Sequence, residues 1–367
     1  MKRLTSLDKI NISRHLFGNP EKFPSFFTVY DEFASKGIGL AINIDPNSAT
    51  GTLSHEHVLR AVDILKENPS ITRKDAFEKM RQVNGLRSAS DPSIAKVLDL
   101  AVRCVIMVDC AAKQHHSSSF KIGDYRPASW DMDEKFVDFV TRSFPEVSSM
   151  TGPAASHLSS EMFPSKAWEL KRLGIEFRRT NNLAEHLLFD ERKNYLFVFH
   201  QAQFLKAHIA KHCYSQDPFG LTFGESLKSG TLPPQLLVET LYSIQEVLFA
   251  AHDIKSGRIL KKLISPRHGK FDPECYQYDA LDLDVQPPEG FSYIYWGKRL
   301  TALRELFDKK PPRNRLEKWL QRQLSERNAF LVALVALLIS IVVGIISIGL
   351  SAVQVWIAWM AWKHPKQ

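Results

Sequence analysis

The sequence predicts a mainly α chain: a helical cytosolic domain with a small β element, followed by one C-terminal transmembrane helix. Three observations carry this. From Ala329 to Trp362 no residue is charged. Apolar residues recur at helical spacing along most of the preceding chain. Only residues 175–199 hold short runs of strand-forming type.

In order, Ser54 caps a helix near 55–67, ended by Asn68-Pro69. Thr72 with Asp75 resembles a capping box for a helix near 73–83. Asp91-Pro92 opens a helix through Ala112, with Asp91 as N-cap. Cys104 shares an apolar face there with Ile94, Val97, Ala101 and Val108, so it reads as a buried thiol. Residues 131–143 form another helix, with Phe136, Phe139 and Val140 inward. Pro164-Ser165 starts one that runs to about Leu173 and stops at Gly174. Ile175–Phe177 and Tyr195–Phe199 read as strands around a turn at Asp190–Asn194, which suits a small hairpin. Gln201–His212 and Pro234–Ala250 read as helices, the latter with Leu237, Leu241, Ile244 and Leu248 on one face. Residues 265–290 are loop-like, and a helix over 292–308 is broken by Pro311-Pro312. Residues 1–310 thus form one helical domain, or two lobes meeting near 150–165.

The stretch Ala329–Leu350 spans roughly 33 Å as a helix, enough for the ~30 Å hydrocarbon core. Trp356, Trp359 and Trp362 follow on one side of the continuing helix, and tryptophan belongs at the lipid–water boundary. Lys363–Gln367 then ends the sequence, which predicts insertion after synthesis, as in tail-anchored proteins. Ala333, Ala336, Ser340, Gly344, Ser347 and Ser351 fall in a narrow arc of this helix. Such a stripe lets a second helix approach closely, which predicts a homodimer or a partner helix.

The formal net charge is +8, and its placement matters more than its size. Residues 301–328 hold eight Lys/Arg and four Asp/Glu, and Lys363 and Lys366 add two cations, so +6 of the +8 lies beside the apolar segment. That distribution argues for membrane topology and against a nucleic-acid footprint. Residues 309–327 alone carry Lys309, Lys310, Arg313, Arg315, Lys318, Arg322 and Arg327, which places the large domain in the cytosol. Residues 311–328 read as a basic amphipathic juxtamembrane helix, lying on headgroups or simply solvated. The N-terminus lacks the apolar core of a secretory signal, so Cys104, Cys110, Cys213 and Cys275 are expected as free thiols. The sequon Asn11-Ile12-Ser13 is expected to stay unused for the same reason.

Candidate chemistry is sparse. His208 and His212 stand at i, i+4, a spacing that can share a metal. The segment lacks the glutamate of HExxH and a clear third ligand, so structural histidines are favoured and no metal or cofactor is expected. Asp45, Asn47, Gly51, Leu53 and Glu56 resemble a calcium loop with the glycine one place late, which favours a turn. Cys110 with His115 and His116 lacks an orienting acid. Lys255, Arg258, Lys261, Lys262, Arg267 and Lys270 form a basic patch. Asp272, Glu274, Asp279, Asp282 and Asp284 read as an exposed, solvated acidic loop, near enough in sequence to offset it. Asn181, Asn182 and His186 are the candidates for polar recognition. The alternative for this stretch is a helix cap before Leu183.

Thr180–Leu187, reading TNNLAEHL, with the apolar run Tyr195–His200, resembles a broad set of uncharacterised membrane-anchored proteins of filamentous fungi. The shared layout covers roughly residues 10–362. It includes a tryptophan segment near Trp296, the Pro-Pro break, Glu326–Ala329 (Glu-Arg-Asn-Ala) and one membrane helix. The resemblance implies a fungal source and a membrane-anchored architecture, and no activity. The expectation is a single-pass, tail-anchored protein whose cytosolic domain is an interaction or scaffold module. Its expected partners are membrane lipid and a protein, with no nucleic acid. The alternative is a membrane-bound enzyme, which would need Asn181, Asn182, His186 and His200 to converge on a water-excluding pocket.

Overall fold

The computed structural model describes residues 4–20, 22–36, 54–87, 89–111, 125, 127–146, 166–267, 269–278, 291–309 and 329–363. It is mainly helical with a small three-stranded sheet. The chain divides into two units, Met1–Asp308 and Lys309–Gln367.

The first unit starts with α1 (Ser6–Phe17), capped by Thr5 and Asp8, and α2 (Pro24–Lys36). Phe17, Phe23, Phe26 and Phe27 interlock at their junction. α3 (His55–Glu67) follows, with Ser54 at its N-cap, as expected. Its buried residues Val58, Ala61, Val62 and Leu65 keep the i, i+3, i+4, i+7 spacing, and they pack on α5 (Asp91–Ile106). α4 (Arg73–Arg81) begins at Thr72, whose hydroxyl accepts from the Asp75 N–H at 3.1 Å. Burying each large side chain of this layer stabilises the fold by about 1.5–3 kcal/mol.

α5 ends six residues before the expected Ala112, and its N-cap is Ser90 rather than Asp91. Met107 turns left-handed (φ 52°), its N–H bonds Arg103, and its carbonyl takes the Leu183 N–H at 2.8 Å. A tertiary hydrogen bond therefore ends the helix, although apolar residues continue. α6 (Phe136–Ser143) starts five residues later than expected. Residues 131–135 form a turn instead, pinned by Trp130 Nε1 donating to the Glu134 carbonyl at 2.8 Å and by Arg142 on the Glu134 carboxylate. Arg73 ties these helices together, donating to the Trp130 carbonyl and to Asp99, each at 2.8 Å.

α7 (Ala167–Arg172) stops at Gly174, whose φ of 83° suits glycine. Then come β1 (Glu176–Thr180), β2 (Phe189–Asp190) and β3 (Tyr195–Phe199), in spatial order β1-β3-β2. The hairpin about Asp190–Asn194 joins β2 to β3, whereas β1 pairs with β3 in parallel, Glu176 opposite Tyr195. Parallel pairing needs a crossover, which residues 181–194 supply. α8 (Ala202–Ala210) and α9 (Phe223–Lys228) follow.

α10 (Pro234–Tyr242) runs into a π-helical turn, Ser243–Leu248, and is buried nearly all round. Leu237, Leu241, Ile244 and Leu248 are in the core, as expected. Next is α11 (Ile254–Ile264), and α12 (Gly297–Lys309) follows residues 291–296. One continuous core draws on residues from Ile12 to Leu303.

Glu239, on α10, is fully buried, and its carboxylate lies against the backbone that leads into α12. Oε1 accepts from the Ile294 N–H at 2.6 Å and from Gln235 Nε2 at 2.7 Å. Oε2 accepts from the Tyr295 N–H at 2.9 Å and the Trp296 N–H at 3.0 Å. Three successive N–H groups make an anion-binding concavity, here filled by the protein's own carboxylate beside a helix N-terminus. Burial pushes this carboxyl up to about 7, while the four donors favour its charged form. Glu239→Gln turns an acceptor into a donor facing N–H groups. It should lower stability to urea by about 2–4 kcal/mol at unchanged m-value. An unchanged midpoint would mean that this carboxylate does not hold residues 294–296.

Candidate functional site

β1 delivers Thr180, Asn181 and Asn182 to the edge of the core. Thr180 Oγ1 accepts the Asn182 N–H at 3.1 Å and donates to Glu185 Oε2 at 2.5 Å. Asn182 Oδ1 takes the Ala184 N–H at 3.2 Å, so Asn182 caps the short 3-10 turn Leu183–Glu185. Its amide also reaches Glu185 and the Tyr125 hydroxyl. Asn182 therefore caps the turn before Leu183.

Asn181 does different work. Its Oδ1 receives His200 Nε2 at 3.0 Å and Gln201 Nε2 at 3.2 Å. The other ring nitrogen of His200, Nδ1, accepts the Asp272 N–H at 3.0 Å, so the neutral ring carries its proton on Nε2. Asp272, read in sequence as part of an exposed acidic loop, is buried. Its carboxylate accepts from Ser25 Oγ, the Gln203 N–H and the Glu274 N–H at 3.0, 3.0 and 3.2 Å.

His186 is completely buried. Nδ1 accepts the Phe199 N–H at 3.2 Å, so Nε2 donates to Ser243 Oγ at 2.6 Å, which donates to the Thr240 carbonyl at 2.6 Å. Its ring meets Trp296 edge-on, with centroids 5.2 Å apart. Arg299 donates to the carbonyls of Ala184 and His186 at 2.9 and 2.5 Å, and its guanidinium lies 4.9 Å from the Trp296 ring centroid. Burial pulls the imidazole of His186 well below its ordinary range, and Arg299 adds to this. Burial, helped by Arg179, pulls His200 down to about 3. These histidines are neutral links in the core.

His208 and His212 are also buried. His208 Nδ1 lies 3.0 Å from Thr231 Oγ1, and its ring lies against Phe204 with centroids 4.0 Å apart. Both Nε2 atoms are buried without a hydrogen-bond partner. Among the described residues no three His, Cys, Asp or Glu side chains group as metal ligands. Cys104, Cys110 and Cys275 are buried free thiols, and Cys110 donates to Asp99 Oδ1 at 3.1 Å. His115, His116 and residues 45–53 of the calcium-like loop lie outside the described residues, as does the segment 311–328. The sequence carried no signal for the roles of Glu239, Ser243, Asp272 or Arg299, because each takes a decisive partner 50 or more residues away.

The second unit holds α13 (Ala329–Lys363), 35 residues in one helix. Within it Leu337–Met360, 24 residues of mean hydropathy 2.3, contains no buried residue. Among the described residues this is the one helix long and apolar enough to cross a membrane. Ser340, Gly344, Ser347 and Ser351 are exposed, and a Cβ at Gly344 would meet nothing within 4 Å. Trp356 and Trp359 are exposed, and Lys363 Nζ sits 4.8 Å from the Trp359 ring centroid. The side chains of Ala333, Ala336 and Trp362 lie outside the described residues. Comparison of the chain with protein-family models, curated proteins and solved structures finds no match.

The neutral histidines set a pH dependence. Unfolded, His200 titrates near 6.5, and folded near 3. Its contribution is therefore complete above about pH 6.5 and is lost as the pH falls toward 3, by about 1.4 kcal/mol per pH unit. His200→Gln should flatten the acid limb of stability against pH by that slope. Equal slopes in the two proteins would refute a buried neutral imidazole.

Proposed function

We propose that this chain is a membrane-anchored interaction module: a helical domain held at a bilayer by α13 and binding a protein partner there. The observation that carries the reading is Leu337–Met360, 24 residues without a charge, of mean hydropathy 2.3 and with no residue buried. A surface of that size is sustained by lipid rather than water. As a helix these residues measure about 36 Å, which suits the ~30 Å core with some tilt. Trp356 and Trp359, with Lys363 beside them, have the chemistry of an interfacial belt. The seven Lys/Arg within residues 309–327 support a cytosolic position for the body. The reading includes membership in the filamentous-fungal set that the TNNLAEHL stretch resembles.

Interaction is favoured over catalysis because the polar groups at 180–200 are spent on internal bonds. Asn182 caps a turn, Asn181 holds His200, and His186 bridges β3 to the π turn. The small stripe on α13 extends the reading to helix–helix contact within the membrane. Gly344→Ile should weaken self-association of the full chain in a bilayer, measured by energy transfer between labelled copies. Undiminished transfer would remove the stripe as a contact face. Proximity labelling in the native host, with the full chain and with a chain lacking 329–367, tests the module as a whole. The full chain should mark proteins of one membrane, and the shortened chain should lose them. The same neighbours for both would contradict the proposal.

A further inference from the structure

α11 has two unlike faces. Ser256 and Leu260 are buried, and Ile259, Leu263 and Ile264 are half-buried. The opposite side carries Lys255, Arg258, Lys261 and Lys262, all exposed, and the helix contains no acid. At 100° per residue these four cations lie within an arc of about 120°. Ile254, 71% exposed, falls inside the same arc. Arg267, also exposed, extends the cationic surface beyond the helix end.

In sequence the acids of the loop after α11 stand close enough to neutralise this patch; Asp279, Asp282 and Asp284 lie outside the described residues, and Asp272 and Glu274 lie within them. The structure turns both away. Asp272 is buried and accepts from Ser25, Gln203 and Glu274. Glu274 pairs with Lys206 at 3.3 Å. Asp253, just before α11, is spent on its N-terminus, accepting from the Lys255 N–H at 3.1 Å and Ser256 Oγ at 2.6 Å. Among the described residues, none of Lys255, Arg258, Lys261, Lys262 and Arg267 forms an ion pair. Two of them lie over rings instead, Lys255 Nζ 4.5 Å from the centroid of Trp168 and Lys261 Nζ 4.9 Å from that of Tyr276.

We propose that this face of α11 docks on anionic lipid headgroups. The inference rests on the membrane-anchored reading, because α13 would then hold the body near a bilayer at high effective concentration. Four cations on one helix face, with no ion pair among the described residues, match a sheet of phosphate and carboxylate headgroups. Ile254 among them matches the boundary between headgroups and acyl chains, where an apolar side chain gains from entry. A soluble polyanion would satisfy the cations and leave Ile254 without a role.

The full chain is reconstituted in nanodiscs of phosphatidylcholine alone and of phosphatidylcholine mixed with phosphatidylserine. Amine-reactive labelling is then read by peptide mass spectrometry at Lys255, Lys261 and Lys262, with exposed Lys79 on α4 as reference. Labelling of the α11 lysines relative to Lys79 should fall at least about fivefold in the anionic discs and recover at high salt. The double variant Ile254→Ser, Arg258→Glu, altered only at exposed positions, should lose that protection. Equal labelling in both discs overturns the proposal. Protection by a DNA duplex in neutral discs, with none from phosphatidylserine, also overturns it and assigns the face to nucleic acid. A chain that enters neither disc contradicts the anchored reading itself. In that case phosphatidylserine vesicles added from outside decide the α11 face by the same labelling ratio.

Discussion

The body is organised around buried polar groups whose every bond is internal, and the Glu239 carboxylate is the one on which most depends. It sits in the middle of a helix buried nearly all round and faces four donors with no acceptor. An ionised group in that position is tolerable only because residues 294–296 present their N–H groups to it. The reverse also holds. The N–H groups of Tyr295 and Trp296 would lie buried and unpaired without the carboxylate. Core and α12 entry are therefore mutually required.

The same logic recurs at the sheet. His186 joins β3 to the π turn, Arg299 joins α12 to the 3-10 turn, and Trp296 lies between their side chains. The indole N–H of Trp296 donates to Thr240 Oγ1 at 2.8 Å, so α10 is bound to this segment through two successive residues, Glu239 and Thr240. His200 and Asp272 extend the network to α2 through Ser25. Networks of this kind specify a unique arrangement, because any slip leaves a buried polar group unpaired. They also explain why TNNLAEHL looks like a recognition motif in sequence: it is polar and closely spaced, and its demands are met from within the fold.

What could be read from sequence was local. The caps at Ser54 and Thr72 depend on residues close in the chain, and each appears where expected. The apolar length of α13 is likewise a property of the stretch itself. What could not be read was set at long range. α5 ends at Met107 because Leu183 bonds its carbonyl, although the apolar pattern continues. β1 runs parallel to β3 on one edge while β2 lies antiparallel on the other, an arrangement that strand composition does not encode. Asp272 looks like one acid of an exposed loop, and only its distant donors show that it is buried.

α13 is proposed to cross a bilayer. Alkaline carbonate extraction of membranes from cells expressing the full chain, beside a chain lacking residues 329–363, tests it most directly. The account predicts the full chain in the membrane pellet and the shortened chain in the supernatant. A full chain released to the supernatant would contradict it.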